Sequence, residues 1–180
     1  MTMELTEKTL RRDDIYSGKV VSLHVDTVEL PDGTTSIREV VEHVDGVAVL
    51  ALDEENNVLT VTQYRYVFAK PMLELPAGKL DPGETPRTGA LRELKEETGA
   101  VPESLESLGH IVLSPGCFGE TLHLFLARDL HMEQQHLDEG EFLNVDRIPF
   151  DTLYRRCLDG DIDDAKTVTA VLKAKLLLGL

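Results

Sequence analysis

The feature that most constrains this chain is a loop–helix–loop pattern between residues 78 and 100. It reads GKLDPGETPRTGALRELKEETGA. Asp81-Pro82-Gly83 predicts a turn, and Thr85 followed by Pro86 predicts a helix start, because an N-cap residue before proline favours one. Gly99 suits the position just after a helix end. The pattern therefore predicts one short helix between two glycine-marked loops.

Three glutamates of this predicted helix share one face. Glu93, Glu96 and Glu97 stand at i, i+3 and i+4, so their carboxylates are neighbours. Like charges at this spacing weaken a helix unless something pairs with them. Converging oxygen ligands suit a hard divalent cation such as Mg²⁺ or Mn²⁺. A solvated acidic face is the simpler alternative, because charged residues are mostly exposed.

The complete spacing resembles the Nudix box, the signature of hydrolases that cleave nucleoside diphosphates linked to another group. A chance match is on the order of one in a billion per starting position. The fixed glycines and the two additional charged residues argue against a simple acidic surface helix. The match rests on Gly78, Glu84, Arg92, Glu93, Glu96, Glu97 and Gly99.

The resemblance implies a metal-dependent hydrolase with Mg²⁺, or alternatively Mn²⁺, as cofactor. It implies that Arg92 pairs with Glu84 and orients the helix, and that Gly78 and Gly99 are structural. The resemblance makes Glu97 catalytic as well as a metal ligand, because ions bound there would lower the pKa of a bound water. The implied metal ligands are Glu93, Glu96, Glu97 and the backbone carbonyl of Ala77.

A second acidic segment, at residues 137–141, resembles the mobile loop that supplies the general base in ADP-ribose hydrolysing members of the family. That alignment makes Glu139 the base and Glu141 a further metal ligand. Gly140 would give the loop freedom to close. An ordinary solvated acidic loop is the alternative, since loops are commonly polar and exposed.

Elements outside the box resemble ADP-ribose pyrophosphatases: Gln63-Tyr64-Arg65, residues 73–78, Ser114-Pro115-Gly116 and residues 160–167. Arg65 and Arg38 are the candidates for contacts with the substrate phosphates, through charge-assisted bonds. For Arg38, an exposed strand arginine is the alternative. Glu74 is the candidate for a ribose hydroxyl. Ser114 and Pro115 are candidates for the wall of the nucleoside or ribose pocket. Family members commonly carry an aromatic residue where Cys117 stands here.

Strand and helix patterns alternate along the chain, which predicts an α/β fold. An apolar run at residues 46–52 suits a buried central strand. Residues 19–30 and 34–41 flank a Pro-Asp-Gly turn and predict a β-hairpin. The resemblance implies a Nudix-type α/β/α sandwich with a mixed sheet, preceded by an N-terminal antiparallel β extension. We expect the extension at residues 1–44 and the hydrolase domain at residues 45–180. The resemblance also implies a homodimer formed through the N-terminal strands.

The charge balance bears on possible partners. The chain has 33 acidic and 18 basic residues, a net charge of −15, which argues against nucleic acid or anionic membranes as partners. Cys117 and Cys157 have no metal-binding spacing. The N-terminus resembles no signal peptide, and the apolar stretch at residues 168–180 is too short to span a bilayer. A cytoplasmic location is therefore expected.

Three functional classes follow from these patterns. The leading hypothesis is a pyrophosphohydrolase of nucleoside diphosphate sugars, above all ADP-ribose, giving AMP and ribose 5-phosphate. The second is a Nudix hydrolase of other specificity, for GDP-mannose, dinucleoside polyphosphates or oxidised nucleotides. The third is a non-catalytic Nudix binding module. The intact box carboxylates argue against the third, because their loss is the expected mark of lost chemistry.

Overall fold

The structure is a computed structural model that describes residues 4–179, and the chain divides into two compact units. The first unit runs to Val44 and includes Val112–Thr121, and the second comprises Asp45–Ile111 and the chain from Leu122 onward. The segment Val112–Thr121 was expected in the hydrolase domain. It belongs to the first unit because the Val41 N–H donates to the Cys117 carbonyl at 2.7 Å.

The first unit is a three-stranded antiparallel sheet in the order β1-β2-β3. The strands are β1 (Lys8–Ser17), β2 (Ser22–Glu29) and β3 (Thr35–Glu42). The predicted hairpin is present as β2 and β3, with Gly33 at φ 83° in the turn, a conformation that favours glycine. β1 is a third strand with a mostly polar and exposed sequence, so its sequence pattern does not predict a strand.

The second unit is built on a seven-stranded mixed sheet. Its strands are β4 (Gly46–Leu52), β5 (Asn57–Arg65), β6 (Lys70–Glu74), β7 (Ala77–Lys79), β8 (Ala100–Val112), β9 (Thr121–Met132) and β10 (Leu143–Pro149). The main order is β10-β5-β4-β9-β8, with β6 paired to β5 and β7 to β4. Every residue of β4 is buried, as predicted for a central strand. β4 is parallel to β9 and antiparallel to β5 and β7.

Within residues 4–179, three α-helices accompany this sheet: α1 (Pro86–Thr98), α2 (Phe150–Asp159) and α3 (Ala165–Leu178); a 3-10 helix (Tyr66–Phe68) links β5 to β6. The Thr85 hydroxyl caps α1 by accepting from the Thr88 N–H at 3.2 Å. Gly99 ends α1 at φ 76°, and its N–H donates to the Lys95 carbonyl at 2.8 Å. The helix predicted from the loop–helix–loop pattern is therefore confirmed with both of its ends.

Successive residues of β4 pack on opposite sides of the sheet. Leu50 joins a core cluster with Leu153 of α2 and Val171 of α3, whereas Val49 joins a second cluster with Leu94 of α1. Alternation of side chains along a strand places these clusters on the two faces. The predicted α/β/α sandwich with a mixed sheet is thus confirmed. Among residues 4–179, no helix has the length and apolar character needed to cross a membrane.

Candidate active site

Arg92 on α1 joins three glutamates of the loop–helix–loop segment. Its Nε and Nη2 atoms donate to the two carboxylate oxygens of Glu84 at 3.1 and 2.9 Å. Its Nη1 atom donates at 2.9 Å to both Glu93 and Glu96, and Nη2 also donates to the Lys79 carbonyl at 3.0 Å. The hydrogen bonds from Arg92 lower the pKa of Glu84. The bidentate pairing of Arg92 with Glu84 holds the loop against the helix.

Glu97 is the most deeply buried of the three helix glutamates, with 1% of the residue exposed. Its carboxylate accepts a hydrogen bond from the Ala77 N–H at 2.9 Å. Burial raises the pKa of Glu97 to about 8, the Ala77 hydrogen bond opposes that rise, and the charges of Glu141 and Glu93 add to it. A cation beside Glu97 would offset the cost of burying its charge.

Glu93 lies directly against the backbone of Gly78. A Cβ atom at position 78 would come within 2.0 Å of the Glu93 carboxylate, so only glycine leaves the carboxylate its place. Burial is the largest influence on Glu93 and raises the pKa of its carboxyl, although Arg92 opposes the rise. Gly78 therefore has a physical reason for its position in the motif: it admits a carboxylate beside β7.

The segment that leads into the acidic loop, residues 133–136, is attached to the last turn of α1. The N–H groups of Glu133 and His136 donate to the carbonyls of Gly99 and Glu96 at 2.7 and 3.0 Å. The Gln135 side chain donates to the Glu97 carbonyl at 2.5 Å. These bonds satisfy carbonyls that a helix end leaves unpaired. Residues 133–136 were not predicted to cap the helix, since neither their spacing nor their composition indicates a cap.

A cleft of about 450 Å³ opens between the acidic loop and α1. Backbone of residues 77–79 forms part of its wall, and the Glu141 N–H donates to the Asp138 carbonyl at 3.0 Å in the loop beside it. The structure thus brings the two predicted acidic segments to one cleft. Its lining includes Glu93, Glu96, Glu139 and Glu141, together with Tyr64 and Phe142.

The donor set of this cleft fits a hard divalent cation. In the part of the chain that the structure describes, no three His, Cys, Asp or Glu side chains are already grouped as a metal site, and Arg92 bonds Glu93 and Glu96 instead. The carboxylates nevertheless supply oxygen ligands, and Glu93 and Glu97 carry raised pKa values because they are buried. Such ligands favour Mg²⁺ or Mn²⁺ over softer ions.

Arg65 and Glu74, expected to contact different parts of a ligand, are bonded to each other. The Nε and Nη2 atoms of Arg65 donate to the two oxygens of Glu74, each at 2.6 Å. Lys166 bonds the same carboxylate, and only 2% of the Glu74 side chain is exposed. Burial acts to raise the pKa of Glu74, but Arg65 and Lys166 hold it below its ordinary value. Glu74 therefore has partners other than the expected ribose hydroxyl.

The other candidate ligand-binding residues lie in the first unit. Arg38 is ion-paired with Glu7, with Nε 3.0 Å and Nη2 2.5 Å from the two carboxylate oxygens. The Ser114 carbonyl accepts from the Phe118 N–H at 2.9 Å, which closes a turn around the exposed Pro115. The contribution of these three candidates to a ligand site stays a prediction.

Comparison with known proteins identifies the family of this chain. Residues 42–171 match the NUDIX domain, and residues 7–41 match the nucleoside diphosphate sugar hydrolase N-terminal domain. A methanol dehydrogenase activator from Bacillus methanolicus is 46% identical over 92% of this chain and 90% of its own length. An ADP-ribose pyrophosphatase from Bacillus subtilis (strain 168) is 41% identical over 93% of this chain and 91% of its own.

A solved structure agrees with the fold. The crystal structure of an ADP compounds hydrolase superposes with a TM-score of 0.87, covering 99% of this chain and 97% of that chain at 23% sequence identity. The match of residues 42–171 to the NUDIX domain confirms the family predicted from the loop–helix–loop segment. The chain belongs to the Nudix family, within the nucleoside diphosphate sugar hydrolases, enzymes that cleave pyrophosphate bonds.

Proposed function

We propose that this protein hydrolyses the pyrophosphate bond of ADP-ribose to give AMP and ribose 5-phosphate, with Mg²⁺ or alternatively Mn²⁺ as its metal. The main support is one observation: the half-buried Glu93 carboxylate, which lines the open acidic cleft, lies against Gly78, and the buried Glu97 carboxylate is bonded to the neighbouring Ala77 N–H. The 41% identity to an ADP-ribose pyrophosphatase supports the choice of substrate.

The proposed metal ligands are Glu93, Glu96, Glu97, Glu141 and the Ala77 carbonyl. Divalent ions bound there would neutralise the diphosphate and lower the pKa of a bound water. Burial raises the pKa of Glu97 to about 8, and a carboxylate ligand must be deprotonated, so metal binding there would be coupled to loss of the Glu97 proton.

Glu139 is the proposed general base. The helix carboxylates are committed to cations or to Arg92, whereas Glu139 stands on the acidic loop across the cleft. Gly140, at φ 85°, lets the loop turn sharply between Glu139 and Glu141. A base on a movable loop can reach its water when the ligand is in place.

Local cations must offset the net charge of −15 for a diphosphate to bind. We assign phosphate contacts to Arg65, whose side chain is 39% exposed while its partner Glu74 is buried, and to Arg38. A diphosphate needs fewer cationic contacts than a triphosphate, which favours ADP-ribose over nucleoside triphosphates. Ser114 and Pro115 remain the proposed wall of the nucleoside or ribose pocket.

The proposal extends to a cytoplasmic homodimer joined through the N-terminal strands. Among the described residues, β1 is an edge strand that pairs with β2 alone. It exposes the apolar side chains of Leu10, Ile15 and Tyr16 to 47%, 59% and 58%. Edge strands with exposed apolar residues tend to pair with another chain, which supports this surface as the subunit contact.

The direct test is product identification after incubation with ADP-ribose and Mg²⁺. We expect AMP and ribose 5-phosphate in equal amounts, loss of turnover in EDTA, and its return when Mg²⁺ or Mn²⁺ is restored. Turnover of GDP-mannose, a dinucleoside polyphosphate or an oxidised nucleotide, without turnover of ADP-ribose, would favour the other specificities. Absence of turnover with all of them would favour a binding module.

A second candidate function comes from the relative that is 46% identical and is named a methanol dehydrogenase activator. The acidic segments of the cleft are intact here, so activation of a dehydrogenase could accompany hydrolysis in the cleft. Methanol dehydrogenase turnover should be measured with the wild type and with Glu97→Gln. Activation by the wild type alone would tie that role to the cleft.

A further inference from the structure

A buried carboxylate on β6 is shared by two cations. Glu74 is 1% exposed and accepts both hydrogen bonds of the Arg65 fork at 2.6 Å. Lys166, itself only 8% exposed, bonds one of the same two oxygens. Lysine is rarely buried unless it is paired, and the pairing with Glu74 accounts for the burial of Lys166.

Lys166 also belongs to the start of α3. Its ammonium group lies 2.9 Å from Asp164, which caps the helix by accepting from the Thr167 N–H at 3.0 Å. The Thr167 hydroxyl in turn accepts from the Leu75 N–H at 2.9 Å. The start of α3 thereby holds the Glu74 side chain and the Leu75 backbone. Leu75 lies two residues before β7, the strand that borders the cleft.

The charges of this cluster balance. Arg65 and Lys166 are positive, and Glu74 and Asp164 are negative. The two bonds to Glu74 occupy Nε and one terminal nitrogen of Arg65, out of five N–H donors. If Lys166 were absent, Glu74 would have Arg65 as its only cation, and a buried unshared carboxylate would hold the guanidinium more strongly.

We propose that Lys166 is a positioning residue for the diphosphate: by sharing the charge of Glu74, it leaves the Arg65 guanidinium able to turn toward a phosphate. This inference rests on the proposed function, because it takes Arg65 as a phosphate contact. A purely structural Lys166 would affect the stability of the fold without changing phosphate affinity.

The test uses inorganic pyrophosphate with Mg²⁺ as the probe and calorimetry as the readout, so it needs no turnover. We expect Lys166→Met to weaken pyrophosphate binding about tenfold, the scale of one charge-assisted contact. Lys166→Arg keeps the charge and should stay within about threefold of the wild type. Lys173→Met is the matched control, since Lys173 is on the same helix and donates to the Leu108 carbonyl at 2.6 Å. It should lose stability and keep its pyrophosphate affinity.

A second pair of variants tests whether Lys166 acts through Glu74. Glu74→Gln and the double variant Glu74→Gln with Lys166→Met should bind pyrophosphate equally, because a neutral partner at position 74 no longer holds Arg65. A further loss in the double variant would overturn the inference. If Lys166→Met alone does not fold, Lys166→Gln, which keeps a hydrogen-bond donor without the charge, takes its place in the comparison with the wild type.

Hydrolysis of ADP-ribose by the wild type separates this inference from the proposed function. Lys166-dependent pyrophosphate binding without turnover would overturn the proposed substrate alone. Equal pyrophosphate affinity in the wild type and Lys166→Met, or no binding by the wild type, would overturn the inference whatever the turnover.

Discussion

The carboxylate of Glu97 accepts a 2.9 Å hydrogen bond from the backbone N–H of Ala77. This bond ties helix α1 to strand β7, whose first residue carries the carbonyl that we propose as a metal ligand. The carboxylate is buried, and burial raises its pKa to about 8. A charged Glu97 is therefore costly in the metal-free protein, and a divalent ion would relieve that cost.

Replacing Glu97 with Gln tests the proposed metal cluster. Glutamine keeps the shape and can still accept the Ala77 hydrogen bond, so the variant should fold. We expect kcat to fall by about a hundredfold or more, the scale of losing a key electrostatic group, in steady-state assays at saturating Mg²⁺. Glu103→Gln, at an exposed position on β8, is the control. Near-normal turnover by Glu97→Gln would contradict the proposed cluster.

The stability of the metal-free protein should depend on pH through Glu97. Its pKa is about 8 in the fold against an ordinary 4.5. Between these values the folded state keeps a proton that the unfolded chain has lost, so the free energy of unfolding falls as pH rises through this window. Glu97→Gln lacks this dependence. Both proteins should be unfolded with urea in EDTA. Between about pH 5 and about pH 8.5, the free energy of unfolding of the variant should rise relative to that of the wild type by on the order of 1–3 kcal/mol. If the difference in free energy of unfolding between the two proteins did not change with pH, Glu97 would be ionised throughout this range.

Glu139→Ala tests the proposed general base. Loss of a positioned base should lower kcat by about a hundredfold or more while KM changes little. Glu141→Ala, at a proposed ligand position, should instead raise the Mg²⁺ concentration needed for half-maximal activity. Asp138→Ala is the neighbouring control in the same loop. Small and equal effects at Glu139 and Glu141 would mean that the base lies elsewhere.

Local signals made helix α1 predictable. The Thr85 cap, Pro86 and Gly99 lie next to the residues they organise, and helical periodicity places three glutamates on one face. The same periodicity does not distinguish Glu96, with 33% of its side chain exposed, from Glu97, with 1% of the residue exposed. That difference comes from β7, which packs against the helix.

Partners distant in sequence were not predictable. Lys166 and Glu74 are 92 residues apart, and nothing near either residue indicates the other. Arg65 and Glu74 were each recognised as candidates, but their pairing depends on the antiparallel register of β5 and β6. The segment Val112–Thr121 likewise joins the first unit through backbone hydrogen bonds to Val41, which carry no side-chain signature.

Assembly is tested by light scattering at micromolar concentration. We expect a mass twice that of the 20.0 kDa chain, because β1 leaves an edge with exposed apolar side chains. Removal of residues 1–43 should then yield insoluble or inactive protein. A 20.0 kDa particle for the intact chain would rule out the homodimer.

The most direct test of the account is steady-state kinetics of the wild type on ADP-ribose, GDP-mannose, a diadenosine polyphosphate and dGTP. The Cys117 departure from the usual aromatic residue makes GDP-mannose the competitor most worth comparing. We expect kcat/KM for ADP-ribose to exceed that for dGTP by at least about a hundredfold, or roughly 3 kcal/mol of transition-state discrimination. A clear preference for dGTP would contradict the assignment.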